Sequence, residues 1–184
     1  RRRHTRFKCD WSSDVCSSDL LLCFVDNHDV TRIASILTNE KHLPLIYGML
    51  FGMPGIPCVY YGSEWGAKAR KEEGDPALRA CFDAPEWNDL SETISQLSEI
   101  KKNSEALNYG SFRSVLLTNR RCIFERKSEH ERIYVAINAD ENSFHADFDA
   151  GCGTAQELIT DTPHDFGGGT DLPGYSVAIW KMEH

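Results

Sequence analysis

Six apolar residues in a row, Leu20-Leu21-Leu22-Cys23-Phe24-Val25, give way without a spacer to four polar ones, Asp26-Asn27-His28-Asp29. An unbroken apolar run of this kind fits a strand buried on both faces, as in a parallel sheet, better than a half-exposed alternating strand. Polar groups directly after its last apolar residue stand at the strand's carboxyl end. In a parallel barrel that end is the catalytic rim.

The chain then turns helical. Ile33, Ile36 and Leu37 fit one apolar face, and after Pro44 a second helix runs through Leu45, Ile46, Met49, Leu50 and Met53 before Met53-Pro54-Gly55-Ile56-Pro57 breaks it. Cys58-Val59-Tyr60-Tyr61 reads as a second short strand closed by Gly62-Ser63-Glu64. Strand, helix, strand with short links predicts a parallel α/β sheet. Residues 65–88 read as an irregular loop punctuated by Gly66, Gly74, Pro76 and Pro85, and a loop that long at a strand's end is more often functional than idle.

Asp89 with Glu92 three positions on predicts a capping box, Ile94, Leu97, Ile100 and Leu107 mark the buried face of the helix it starts, and Gly110 is expected to end it as a left-handed cap. Beyond lies a different grammar. Residues 122–125, 133–137, 144–148, 158–160 and 176–180 are short strands separated by turns such as Gly167-Gly168-Gly169. Five or six strands without helices predict a small antiparallel sandwich.

The first twenty residues stand apart. Residues 9–20 back-translate, with permitted codons, into a common short-read sequencing adapter beginning TGT GAC TGG AGT TCA GAC GTG, and they lack the apolar core of a secretory segment. They are therefore read as a non-native, adapter-derived stretch, with 21–110 as one structural unit and 111–184 as a second, all-β one. The stretch carries five basic and three acidic side chains, so the remainder is more acidic than the formal −8 of the whole chain. A nucleic-acid partner is not expected, because phosphate binding needs a basic surface.

Without that stretch five cysteines remain, Cys23, Cys58, Cys81, Cys122 and Cys152, an odd number with no clustered spacing. No disulfide framework, zinc site or cofactor is expected, and a reducing, cytoplasmic setting suits thiols lying within apolar runs. No membrane partner is expected either, since the longest apolar stretch, 49–61, is broken by Gly and Pro.

The residues that carry chemistry are Asn27, His28 and Asp29, followed by Arg32. Taken by spacing alone they admit two readings, a catalytic rim or a helix start in which Asn27 or Asp29 caps and His28 is a half-buried ring. Phe24-Val25-Asp26-Asn27-His28-Asp29 resembles the fourth conserved region of the α-amylase family, whose core is an Asn-His-Asp triplet after the seventh barrel strand. Gly55-Ile56-Pro57-Cys58-Val59-Tyr60-Tyr61-Gly62 resembles the eighth strand of that family, normally a Gly-x-Pro start and a Tyr-Tyr-Gly end followed by an acidic or amide pair.

The resemblance implies a fold, the C-terminal part of a (β/α)8 barrel followed by a small antiparallel β-domain, and a function, a retaining glycosidase acting on α-glucans or maltodextrins. It implies that His28 and Asp29 contact hydroxyls of the glucose unit at the cleavage site, with Asp29 as the third catalytic-site carboxylate, while the nucleophile and the acid/base come from earlier strands. Asp75-Pro76-x-x-Arg79 resembles a segment of the cyclomaltodextrinase and neopullulanase branch that sits near the non-reducing sugar, although that branch's usual Pro or Met and Trp are replaced here by Ala80-Cys81-Phe82.

Arg79 suits sugar hydroxyls, and equally an ordinary ion pair with Asp75. Tyr61 can stack on sugar, with either Tyr60 or Tyr61 turned to the core by strand alternation. Asp29 and Glu64 are acids at the two strand ends, but a retaining pair needs the support of a closed barrel. The amylase-like barrel also occurs as a non-catalytic interaction subunit, which remains the alternative.

Overall fold

The computed structural model of the protein describes residues 21–151 and 153–182. Residues 1–20, read above as adapter-derived, lie outside it. Strands β1 (Leu22–Phe24) and β2 (Ile56–Cys58) pair in parallel, Leu22 opposite Ile56 and Phe24 opposite Cys58. Between them run α1 (Ile33–Ile36), a single turn, and α2 (His42–Gly52). The expected strand, helix, strand order is present, with two corrections.

The second strand begins at Ile56 rather than Cys58 and ends before the tyrosines. Gly55 makes this entry possible: its φ of 114° is open to glycine, and a Cβ there would meet Cys23 Sγ at 2.5 Å. The first strand is not buried on both faces. Cys23 and Val25 pack on the core, but Leu22 and Phe24 are 61% and 48% exposed, because no described element covers their side of the pair.

Helix α2 is buried nearly all round, through Leu43, Leu45, Tyr47, Leu50 and Phe51. An all-apolar helix of this kind needs neighbours on every side. Its glycines let them come close: a Cβ on Gly48 would meet Val177 Cγ2 at 2.5 Å, and one on Gly52 would meet Phe124 Cζ at 2.9 Å. Helix α2 therefore lies directly against the β-sheet that follows it in sequence.

After the short helix α3 (Asp75–Leu78), helix α4 (Asp89–Lys102) is capped one residue earlier than predicted. Asn88 Oδ1 accepts from the amides of Leu90 and Ser91, both at 3.1 Å, and Ser91 completes the box in place of Glu92. The helix stops at Asn103. Ser104 Oγ then caps a separate α5 (Glu105–Tyr109) by accepting from Leu107 N at 3.0 Å. Gly110 is not left-handed, with φ −73°. It is glycine because a Cβ would strike Ala106 O and approach the Lys127 backbone to 2.9 Å.

The all-β half contains eight strands among the described residues: β3 (Ser111–Leu117), β4 (Arg121–Lys127), β5 (Arg132–Asn138), β6 (Phe144–Ala146), β7 (Thr154–Glu157), β8 (Thr162–Asp165), β9 (Thr170–Leu172) and β10 (Ser176–Met182). Six form one sheet in the order β3-β4-β5-β10-β7-β8, antiparallel throughout, and β6 with β9 makes a separate ribbon. The strand expected at 158–160 lies at β7, and 158–160 is a turn in which the Glu157 carboxylate accepts from the amides of Ile159 and Thr160.

The sheet buries both faces. Phe124, Ile133, Val135 and Ile179 meet Tyr47, Phe51, Leu97 and Leu107 of the helices. Ile123, Tyr134, Ala136 and Trp180 meet Phe166, Ala146 and Leu172. The second layer of the expected sandwich is thus a two-stranded ribbon with its loops, and the helices cover the opposite side.

Buried charge ties the helices to the sheet. Arg126, with no exposed surface, donates to Gly52 O at 3.0 Å and Gly110 O at 2.9 Å, and Lys101 Nζ donates to Met53 O at 3.1 Å and Leu107 O at 2.7 Å. Both cations thus meet carbonyls at helix C-termini, where the helix dipole favours them. Glu131 serves the opposite end, accepting from Ser104 Oγ at 2.6 Å, Ala106 N at 2.8 Å and Lys181 Nζ at 2.9 Å.

On the β4 to β5 ladder, burial by itself would raise the Glu125 pKa, but hydrogen bonds from Arg113, Tyr134 and Arg132 outweigh it and hold the carboxyl at about 2. A folded pKa below the ordinary 4.5 contributes stability that is complete above that value and is lost as pH falls toward 2. Glu125→Gln is therefore expected to cost about 1–3 kcal/mol at pH 7. Urea midpoints recorded from pH 7 to pH 2 should show wild type losing this increment through the acid window while the variant, already without it, falls less.

Candidate functional site

The site is organised by a group that the sequence reading did not single out. Asp26, the first polar residue after β1, is 1% exposed. One of its oxygens accepts from Ile33 N at 2.8 Å, and Ser63 Oγ donates to the carboxylate at 2.8 and 2.9 Å. Asp26 therefore caps the entry to α1, a task that Asn27 and Asp29 were expected to share if they were merely structural. The signal was present in the sequence: a carboxylate flush with the end of a buried strand must find internal donors or remain desolvated.

Arg32 completes the frame. Also 1% exposed, it donates to Tyr61 O at 2.6 Å, Ser63 Oγ at 3.0 Å and Leu78 O at 3.0 Å, and its guanidinium lies 4.3 Å from the Tyr60 ring centre. Arg32 is thus a clamp joining the ends of both strands to the long loop. Tyr47 OH donates to Ser63 O at 3.2 Å, and burial, with the nearby charges of Asp26 and Glu64, pushes the Tyr47 hydroxyl well above the usual phenol range, so it stays a neutral donor.

On this frame stands a polar shelf. Asn27 Oδ1 accepts from Asp29 N at 2.8 Å, a local turn that points the next two side chains outward. His28 Nε2 lies 3.1 Å from Asp29 Oδ2, Arg79 Nη2 lies 3.2 Å from Asp29 Oδ1, and the same Arg79 nitrogen lies 3.6 Å from Asp75 Oδ2. The structure therefore brings His28, Asp29, Arg79 and Asp75 together, with Asn27 as the turn that presents them. The Asp29 side chain is 60% exposed and His28 53%. Two carboxylates, an imidazole and a guanidinium on an accessible rim can grip a polyhydroxylated ligand through charge-assisted hydrogen bonds.

The tyrosines depart from expectation. Because β2 ends at Cys58, Tyr60 and Tyr61 do not alternate across a sheet, and neither faces the core. Their rings meet edge-on at 4.7 Å, and Phe82 extends the group, 5.8 Å from Tyr61 and 5.2 Å from Trp65. Burial and the neighbouring Tyr61 raise the Tyr60 pKa. Tyr61 OH is engaged by Ala80 O at 2.9 Å, which fixes the ring beside the shelf.

Glu64 lines a cleft of about 610 Å³ with Phe51, Ile94 and Ser91, and its carbonyl accepts from Ser91 Oγ at 3.0 Å. No three His, Cys, Asp or Glu side chains converge as a metal site among the described residues, and none of the described helices is long and apolar enough to cross a membrane.

Comparison with known proteins adds a family. The α-amylase catalytic-domain profile matches residues 4–132. An α-amylase of Niallia circulans is 28% identical over 136 residues, which cover 73% of this chain and 25% of the relative. A cyclomaltodextrin glucanotransferase of the same organism is 29% identical over 116 residues, 62% of this chain and 16% of the relative. An α-amylase structure from Anoxybacillus superposes with a TM-score of 0.79 at 24% identity, over 89% of this chain and 38% of that one, which is a likeness of fold. The chain spans a quarter or less of the length of these two sequence relatives.

Removing the hydroxyl between the buried Asp26 and Arg32 tests the frame. Ser63→Ala is expected to destabilise by about 1–3 kcal/mol, the cost of an unsatisfied buried group. Tyr61→Phe, which loses one exposed hydrogen bond, should cost under about 1 kcal/mol. Urea denaturation of the two variants side by side checks the order, and equal losses would mean that Ser63 is not the joint.

Proposed function

Because the chain belongs to the α-amylase family, we propose that it is the C-terminal part of a retaining glycoside hydrolase acting on α-linked glucans or maltodextrins. In this reading β1 and β2 are the seventh and eighth strands of a (β/α)8 barrel, residues 21–110 belong to that barrel, and 111–184 form the terminal β-domain. The observation that carries it is the convergence of His28, Asp29, Arg79 and Asp75 beyond the carboxyl ends of two parallel strands, where barrel enzymes hold their substrates.

The chemistry follows from what these groups can and cannot do. His28 and Asp29 offer donor and acceptor atoms to adjacent sugar hydroxyls, and such bonds accelerate glycoside cleavage when they strengthen as the ring distorts toward an oxocarbenium ion. A retaining reaction also needs a nucleophile and an acid/base with carboxyls about 5–5.5 Å apart. Glu64 lines a cleft beside α4, with one carboxylate oxygen buried and without a hydrogen-bond partner, and is assigned neither role. The pair comes from the preceding strands of the longer enzyme. Names among the relatives include both an amylase and a glucanotransferase, and the shelf serves either outcome, because water and a sugar acceptor attack the same intermediate.

Two experiments test the proposal. The purified 184-residue chain should release no reducing sugar from maltodextrin, and a clear rate would overturn the assignment of the bond-breaking groups to other strands. In the complete enzyme Asp29→Asn should lower kcat by about 10²–10³-fold, the loss typical of one transition-state hydrogen-bonding group. Unchanged turnover would remove Asp29 from the site.

A further inference from the structure

Resting on the proposed function, we infer that Arg79 is a positioning residue for Asp29, and that the loop segment around it is fastened to the strand ends so as to hold it there. An exposed ion pair by itself proves nothing, since most contribute little. What separates this one is how the backbone on either side of Arg79 is held.

Just before it, Leu78 O accepts from Arg32 Nη2 at 3.0 Å and from Tyr60 OH at 3.5 Å. Just after it, Ala80 O accepts from Tyr61 OH at 2.9 Å. Two residues further on, the Phe82 ring rests where Gly62 has no side chain: a Cβ there would come within 2.8 Å of Phe82 Cε2. Leu78, Ala80 and Phe82 are thus each tied to residues 60–62 at the end of β2 or to the buried Arg32. Arg79, between the first two, is presented on a fixed backbone, and less freedom remains to be lost when its fork meets a carboxylate.

The consequence falls on Asp29. Its two oxygens have different partners, Arg79 Nη2 on Oδ1 at 3.2 Å and His28 Nε2 on Oδ2 at 3.1 Å. The torsion that turns a carboxylate about its stem is soft, so the Arg79 hydrogen bond on one oxygen and the imidazole beside the other restrain its plane, and each oxygen keeps a lone pair for a sugar hydroxyl. Asp75 Oδ2 lies 3.6 Å from the same Arg79 nitrogen. Position matters because a displacement of about 1 Å in such a group costs on the order of 100-fold in rate.

The test separates positioning from sugar binding and from structure. In the complete enzyme, Arg79→Met is expected to lower kcat about 10- to 100-fold with KM changed less than about threefold. Arg79→Lys should recover part of the loss. Phe82→Ala, which loosens the fastening without touching either charge, should lower kcat in the same direction, and Phe82→Trp should restore it. Unchanged thermal midpoints for Arg79→Met exclude misfolding.

In the 184-residue chain, slowed rotation of the Arg79 guanidinium seen by nitrogen NMR should vanish in Asp29→Asn and persist in Asp75→Asn. Arg79→Met raising KM with kcat intact would make Arg79 a sugar contact and overturn the inference, as would an NMR signal that depends on Asp75 alone. If Asp29→Asn is itself without effect on turnover, the site assignment fails. If Asp29→Asn silences the enzyme and Arg79→Met does not, only the positioning role fails.

Discussion

The buried pairing of Asp26 and Arg32 through Ser63 is the constraint on which the candidate site depends. Removing two charges from water costs several kcal/mol each, and the cost is offset only by well-placed hydrogen bonds. Here the carboxylate takes a hydroxyl and a helix-entry amide, and the guanidinium takes two carbonyls, the same hydroxyl and an aromatic face. Those partners come from the start of α1, from the turn after β2 and from the long loop. One small network therefore decides where three separated pieces of chain meet, and the exposed His28 and Asp29 inherit their positions from it without contributing to it.

A second set of buried charges does comparable work at the junction with the all-β half. Arg126 and Lys101 each receive carbonyls from two helix ends, while Glu131 faces a helix start. Each sign meets the pole of the helix dipole that favours it. Because α2 lies against the sheet through Gly48 and Gly52, with no room for a methyl group at either, these charges also fix the axial position of the helix. The strand ends that carry the shelf are thereby anchored, at one remove, to the largest hydrogen-bonded sheet in the molecule.

How much of this was legible depended on whether a feature is local. The apolar run of 20–25 with its polar ending, the strand, helix, strand order and the rim residues could be read because periodicity and a sharp polar boundary are properties of neighbours in sequence. The partners of those residues could not. Asp26 looked like one more polar residue of the boundary, since only the distant Ser63 and Arg32 explain its burial. The start of β2 was misplaced because Pro54, Gly55 and Pro57 are strong breakers in isolation, whereas a parallel partner at Leu22 and Phe24 recruits Ile56 to Cys58 regardless. Strand β3 escaped notice because most of its residues are exposed at the sheet edge, and β8 because it contains Pro163 and polar side chains.

The same distinction explains why the shelf is well defined on a sheet of only two strands. Parallel strands ordinarily gain their order from cover on both faces, yet Leu22, Phe24 and Ile56 stay substantially exposed here. Their order must come from elsewhere, and the available sources are the buried side of β1, the Arg32 clamp and the packing of α2 on the all-β half. Covering the open face would stabilise the strands, but it would not change which oxygen of Asp29 meets Arg79, because those contacts are made on the far side of the clamp by atoms that the open face does not touch. The geometry at the rim is in this sense a property of the loop and its fastenings, and the strands serve it chiefly by ending where they do.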